Sequence, residues 1–496
     1  MLKFNRREFT RVLAGSGGIG LFSAAAEAEP ETEIGPEPGP GSITDVQGVR
    51  VGHYRDSRRP TGCTAILFDN EVSAGVDYDG SAPGEQLGVM LQPTSLLEGI
   101  HGILLAGGGP MGLAAVPGAV KYLDEHHIGY DWGVPNIRVP IVVGAVIDDL
   151  PIGDGRIRPD AEAGYKACQA ASAGPVAEGN AGAGAGATVG KMLRAEGFPG
   201  MKGGLGTASL RLGEIVIGAL AVVNAAGDIV DWRTGVTLAG ARRADGKGFA
   251  NLTETLKQRL ASLPPHASLR LDDKPLHSTT LAVIATNVRF DKPQLTKIAM
   301  MANCGAARAI RPYHTTGDGD QLYAISTRML QADIPLSAVG ALAVVNAAGD
   351  IVDWRTGVTL AGARRADGKG FANLTETLKQ RLANLPPHAS LRLDDKPLHS
   401  TTLVVIATNV RFNKSQLTKI AMMANCGAAR AIRPYHTTGD GDQLYAVSTR
   451  ELQGDIPVSA VGALAAEVVA EAIGRGVKNA ESIEGWPSYR DFTPHV

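Results

Sequence analysis

The sequence predicts a layered α/β sandwich, an expectation that rests on three observations. Short β-rich runs lie at residues 141–147, 215–224 and 280–286. Helical patterns lie at 113–125, 159–171 and 295–310, the last with Leu295, Ile298, Met301 and Ala302 on one stripe. Strands and helices mix without strict alternation, which favours stacked layers over a doubly wound parallel sheet. Pro117 falls in or near the first turn of the 113–125 helix, where its missing N–H costs nothing.

Taken from the amino terminus, the first residues are not fold. Asn5-Arg6-Arg7-Glu8-Phe9 has the form of a twin-arginine export signature, followed by a Gly/Ala-rich run over 12–26 and the small residues of Ala26-Glu27-Ala28. Residues 1–28 therefore read as a signal peptide and 29–40 as a Pro/Glu/Gly linker, with a periplasmic or secreted product. The apolar run is too short and too weakly apolar for a good membrane span. Hydrophobic residues at 44% and charged residues at 20% fit a soluble protein with a sizeable core. A net charge of −2 gives no electrostatic footprint for nucleic acid or an anionic membrane. Cys63, Cys168, Cys304 and Cys426 form neither a metal motif nor a disulfide framework.

The dominant feature of the 496 residues is a tandem repeat. Residues 219–340 recur at 341–462, shifted by 122, with eight differences: Ser262/Asn384, Ala282/Val404, Asp291/Asn413, Pro293/Ser415, Ile325/Val447, Met329/Glu451, Ala332/Gly454 and Leu336/Val458. Gly-Ala-Leu-Ala begins at Gly218, Gly340 and Gly462, once at each boundary, as an unequal recombination would leave it. The period exceeds the roughly 20–50 residues of stacking solenoids. The expected organisation is an amino-terminal lobe at 41–218, two copies at 219–340 and 341–462, and a closing helix and tail at 463–496. Both copies share one lobe and one closing helix, so a site that needs lobe and repeat together can exist once per chain.

The strongest site signal is His277-Ser278-Thr279-Thr280, where a polar loop containing Asp272, Asp273 and Pro275 runs into an apolar strand. A chain cut in front of a hydroxyl residue there would free an α-amine with a pKa of about 8, able to act as base for its own side chain. Ser and Thr before a strand are also ordinary turn and cap residues. Three other patterns carry less. Ala183 to Lys191 lacks the first glycine of a phosphate loop, with Ala185 in its place, and Met192 replaces the magnesium-binding Ser/Thr. Asp318-Gly319-Asp320 lacks the further acidic ligands of a calcium loop, and its plain reading is a solvated turn. His266, His277 and His314, and their copies, have no ligand spacing and read as surface or capping residues. Trp232 and Trp354 read as packing residues. No cofactor and no metal is expected.

From about Gly41 onward the chain resembles the L-aminopeptidase/D-esterase (DmpA-like) family, and within it the 6-aminohexanoate-oligomer hydrolases. The resemblance is carried in order by Asp45–His53, Thr61–Thr64, Ala82–Gly84, Gly107–Leu113, Gly182–Gly190, Lys202–Ser209, the strand after Thr279, and Thr316–Asp320. It implies an α/β/β/α sandwich of the self-cleaving N-terminal-nucleophile type and an amide hydrolase acting on small peptides or oligoamides. It further implies a homo-oligomer of processed heterodimers. Thr279 would be the nucleophile, freed by scission of Ser278–Thr279. Asn224 would help hold the oxyanion, Lys191 would lie near the nucleophile, and Asp318 and Asp320 would orient the new amine and the hydroxyl. The second copy offers Thr401, Asn346, Asp440 and Asp442.

Three positions depart from the family pattern: Ser278 stands where Gly or Asn is frequent, which leaves the scissile bond open among Ser278, Thr279 and Thr280; Asp148 stands where the oligomer hydrolases have a tyrosine, and Gly109 where Ser is common. The alternatives are an acyltransferase of the ornithine-acetyltransferase architecture and a non-catalytic product of the duplication. Loop closure costs roughly 4 kcal/mol whichever copy joins the lobe, so it does not choose between them. Order of synthesis favours the first copy, and direct continuity with the closing helix favours the second. The copy left out cannot bury all its apolar faces.

Overall fold

In the computed structural model, the described residues are 41–262, 278–331, 350–364, 370–373, 377, 380–381, 384, 402–433, 435–436, 442–452, 456–479 and 482. The expected leader and linker, Thr401, Asn346, Asp440 and the final tail lie outside them.

One nine-stranded mixed sheet organises the lobe and the first copy. Its strands are β1 (Val49–Arg55), β2 (Gly62–Asp77), β3 (Glu85–Gln86), β4 (Gly99–Ala106), β5 (Val142–Val146), β6 (Gly204–Leu212), β7 (Ile215–Asn224), β8 (Thr279–Val288) and β9 (Gln321–Leu330). Their order is β6-β7-β8-β9-β2-β4-β5-β3, with β1 also on β2. Pairs β8–β9 and β4–β5 are parallel, and the other pairs are antiparallel.

The sixteen-residue β2 turns this sheet into two layers. Its first half pairs with β1 and β4, its second half pairs with β9, and the register shifts between Leu67 and Val72. Such a shift bends a strand and re-aims its side chains. Ile66 and Phe68 from the first half share one apolar core with Val72, Ala74 and Val76 from the second, joined by Leu281, Val283 and Tyr323. Alternate residues Cys63, Ala65 and Leu67 face the opposite way, onto helices α1 (Val116–Glu125) and α2 (Ala161–Gln169). Beyond the other half, Ile217, Ile284, Leu322 and Ala324 pack on α4 (Lys292–Ala309). The layers run helix, sheet, sheet, helix, as the resemblance implies. Gly75 permits the last contact: a Cβ there would lie 2.2 Å from Thr296 N.

Local sequence explains the helix boundaries. Asp291 caps α4, its carboxylate accepting from Gln294 N while Gln294 Oε1 accepts from Asp291 N, so the helix starts three residues before the stripe that predicts it. Helix α1 starts at Val116, because 109–115 form a 3-10 segment instead.

The second copy builds less. Strands β10 (Leu403–Val410) and β11 (Gln443–Leu452) form an isolated parallel pair, backed by α5 (Lys414–Ala431) and α6 (Val458–Asn479). Helix α3 (Leu252–Ala261) belongs to the first copy and packs with Met192, Leu193 and, from the second copy, Met423 and Ala460. Leu281 and Val283 of the first copy are fully buried, whereas their counterparts Leu403 and Val405 are 68% and 69% exposed. The first copy therefore holds the lobe, and the second leaves an apolar face open. Trp232, expected to pack, is 43% exposed and carries Arg233 over its ring.

Candidate active site

Thr279 is the first residue of β8 and pairs directly with Asn224, the last residue of β7. Residues opposite each other on adjacent strands bring their Cβ atoms within about 4.5–5.5 Å, so this pairing makes the Asn224 and Thr279 side chains neighbours on one face of the sheet. Both are buried. Asn224 Oδ1 accepts from Lys191 Nζ (2.9 Å) and Thr188 N (2.9 Å), and its Nδ2 donates to Asp148 O (3.2 Å). That last acceptor is main chain, so the bond does not depend on the side chain at position 148. Lys191 Nζ also donates to Asn224 O (3.0 Å). Gly190 makes this reach possible: at φ +68° it turns the chain so that Lys191 N meets Ala226 O at 2.9 Å. Burial lowers the Lys191 ammonium to about 7, against the opposing pull of Asp318 and Asp148.

The acidic segment crosses the same end of the sheet. Ser278 bridges Asp318 in parallel fashion, and Ser278 O accepts from Gly319 N at 3.0 Å. Thr279 Oγ1 donates to the same carbonyl oxygen at 2.6 Å. Asp320 Oδ1 accepts from Thr280 N (2.6 Å) and its Oδ2 meets His314 Nδ1 (3.0 Å). Asp318 Oδ2 accepts from Thr315 N (2.8 Å), while its buried Oδ1 has no hydrogen-bond partner among the described residues. Burial first, and then Asp320, push the Asp318 carboxyl up. Gly319 fits only as glycine, since a Cβ would lie 2.4 Å from Ala82 O and 2.9 Å from Thr279 Oγ1.

Thr279, Asn224, Lys191, Asp318 and Asp320 are thus brought together. Two readings of the sequence are corrected. Asp318-Gly-Asp320 is no solvated turn, as both carboxylates are 1% exposed or less. His314 is no surface residue: it is 3% exposed, bonded to Asp320 and 3.5 Å from Asp79. Gly319 N–H and the Asp77–Asp79–Asn303 cluster were not anticipated. Asn303 Nδ2 bonds Asp77 (2.9 Å) and Asp79 (3.0 Å), and the signal available was its position on the buried α4 stripe.

The second copy keeps the intrinsic half of this arrangement. Asp442 Oδ1 accepts from Thr402 N at 2.7 Å and Oδ2 lies 3.2 Å from His436 Nδ1, matching the Asp320 contacts. Lys191 serves Asn224 of the first copy. No group of three or more metal-ligating side chains occurs among the described residues.

A family model described as peptidase family S58 matches residues 41–339 and again 329–489. The chain is 37% identical to an uncharacterized aminopeptidase of Mycobacterium bovis over 366 residues, covering 71% of this chain and 97% of that one. It is 31% identical to the 6-aminohexanoate-oligomer endohydrolase of a Kocuria species over 296 residues, covering 59% of this chain and 76% of that protein. Among solved structures, the L-aminopeptidase D-Ala-esterase/amidase of Ochrobactrum anthropi is similar at 23% identity and a TM-score of 0.42, over 59% of this chain and 76% of that one.

Proposed function

The chain belongs to peptidase family S58, whose members are amide-bond hydrolases, and on that footing we propose that it cuts itself between Ser278 and Thr279 and uses Thr279 as its nucleophile. The carrying observation is the Ser278 carbonyl, which is approached on one side by the Thr279 hydroxyl and on another by the Gly319 N–H.

In processing, Thr279 Oγ1 turns from Ser278 O to attack the Ser278 carbonyl carbon. The oxygen gains charge against Gly319 N–H, the C–N bond breaks, and the Thr279 nitrogen takes up the proton that Oγ1 gives up. The resulting ester is hydrolysed by water to a Ser278 carboxylate and a Thr279 α-amine. In turnover, that amine takes the Oγ1 proton as Oγ1 attacks the substrate carbonyl and returns it to the leaving amine, and water then hydrolyses the acyl ester on Thr279, releasing the acid and restoring the hydroxyl. Asn224 Nδ2 is the side-chain donor for the oxyanion, a contribution of roughly 3–4 kcal/mol for one such donor. Asp318 Oδ1, buried opposite Ser278, is the counter-charge for the new ammonium, and Lys191 opposes it, which keeps the amine usable as a base near neutrality.

The substrates we propose are small peptides or 6-aminohexanoate-type oligoamides, supported by the names of the relatives. The twin-arginine leader supports periplasmic or secreted action. Thr279 is favoured over Thr401 because its strand is seated in the nine-stranded sheet beside Asn224. Intact mass and amino-terminal sequencing test the proposal. The expected result is a fragment beginning at Thr279, lost in Thr279→Ala together with all amidase activity and retained in Thr401→Ala. A fully active uncut chain refutes it.

A further inference from the structure

The two copies meet within one polypeptide through reciprocal contacts between matched residues. Arg308 Nε donates to Ala429 O at 3.0 Å, and Arg430 Nε, its counterpart 122 residues on, donates to Ala307 O, the counterpart of that acceptor, at 3.2 Å. Both guanidiniums are buried, each at the carboxyl-terminal end of the other copy's helix, where a cation is favoured. A Cβ on Gly235 would lie 3.2 Å from Arg355 O, and one on Gly357 would lie 3.0 Å from Arg233 O, another exchanged pair. Cys304 packs in the apolar cluster of the second copy and Cys426 in one of the first. The cavity of about 140 Å³ between α4 and α5 is lined by matched residues, among them Met300 with Met422 and His314 with His436. Reciprocity of this kind, i to j and j to i, is what a two-fold contact between identical subunits produces.

Two further contacts run from the second copy to the segments that form the site. Ser459, at the start of α6, accepts from Thr316 N at 2.9 Å, and its hydroxyl lies 2.7 Å from Thr316 Oγ1. Lys419, buried on α5, donates to Asp79 O at 2.7 Å. The segments they grip are bonded to each other: Gly80 N donates to Asp320 O (3.2 Å) and Ala82 N to Asp318 O (3.0 Å). That short ladder presents Asp318, Gly319 and Asp320 to Thr279, and Ser459 and Lys419 hold its two sides.

We propose that the second copy is a built-in partner subunit, which positions the acidic loop of the first site through Ser459 and Lys419. The proposal rests on Thr279 being the nucleophile. Both are positioning residues, since neither touches the Ser278–Thr279 bond.

The test uses the full chain. Ser459→Ala removes the hydroxyl, Ser459→Thr restores one, and Lys419→Met removes the ammonium while keeping much of the stem. Self-cleavage is followed by intact mass, and kcat and KM are measured on a small amide substrate. The expected result is a fall in kcat of about tenfold for Ser459→Ala and for Lys419→Met, as displacement of reacting groups by a fraction of an ångström produces. KM stays near the wild-type value, and Ser459→Thr recovers most of the rate. Wild-type kcat in Ser459→Ala and Lys419→Met, beside an inactive Thr279→Ala, overturns this proposal and leaves the nucleophile standing. A slow Ser459→Ala that Ser459→Thr does not rescue also overturns it, because the residue is then only packing. If Lys419→Met fails to fold, the Ser459 pair decides. An active Thr279→Ala removes the nucleophile and this proposal together.

Discussion

Replacing Gly319 with alanine would put a methyl carbon 2.4 Å from Ala82 O and 2.9 Å from Thr279 Oγ1. Contacts that close force the backbone to move, and the group that moves with it is the N–H that donates to Ser278 O at 3.0 Å. In the resting precursor that bond contributes about 1 kcal/mol. In the self-cleavage transition state the same oxygen carries developing negative charge, where one lost donor costs roughly 2.7–4 kcal/mol, or about 100- to 1,000-fold in rate. Gly319→Ala should therefore slow formation of the Thr279 fragment by about two to three orders of magnitude, followed by intact mass after fresh purification. Gly206→Ala is the control: its nearest outside atom is Glu178 Oε1 at 3.7 Å, an ordinary contact. Circular dichroism and size exclusion separate a slow precursor from a misfolded one. A folded Gly319→Ala chain that processes at the wild-type rate would refute the assignment of this N–H to the scissile carbonyl.

Other substitutions probe the rest of the arrangement. Asp320→Asn keeps the size but not the charge that faces His314 and Thr280 N, and should cut turnover by tenfold or more, read as kcat on processed enzyme. Lys191 gives a pH test. Its folded-state value of about 7 lies below the ordinary 10.5, so wild type loses stability as pH falls from above 10.5 towards 7, by at most roughly 5 kcal/mol. Lys191→Met removes that slope; urea midpoints at pH 7 and pH 10 that move in parallel for both proteins would contradict it. On the open face, Val405→Lys should lower light scattering at high protein concentration without changing kcat, and equal scattering would show that the face does not drive association.

Strands were the most legible part of the fold. The apolar runs at 141–147, 215–224 and 280–286 appear as β5, β7 and β8, because β-branched residues between polar turns declare themselves locally. The buried side of α4 was equally readable from the spacing of Leu295, Ile298 and Met301. Helix α6 runs over Val458–Asn479, so the closing helix expected within 463–496 begins earlier, inside the second copy before the repeat boundary. The bend in β2 left no mark in composition. It is the shift between Leu67 and Val72 that folds one sheet into two layers, and only tertiary pairing defines it. In the site, Thr279 and Asn224 could be named from the resemblance, but their direct pairing is a matter of register. His314 was misread because a lone histidine carries no spacing signal; its partner Asp320 is six residues away across a turn. The contacts from Ser459 and Lys419 span more than a hundred residues, and no local pattern announces them.

Cleavage at Ser278–Thr279 would leave residues 279–496 as one piece, carrying α4, α5 and α6 together. Two separate chains meeting through such a face would come apart on dilution, whereas tethered partners meet at a fixed effective concentration, typically millimolar for short flexible connections. The tether also releases the two halves from identity. In a true homodimer each substitution lands on both subunits at once, but here Asp291 caps one helix and Asn413 the other, and Pro293 in the first turn of one is Ser415 in the other. One half is free to drift towards pure support while the other stays under the demands of chemistry.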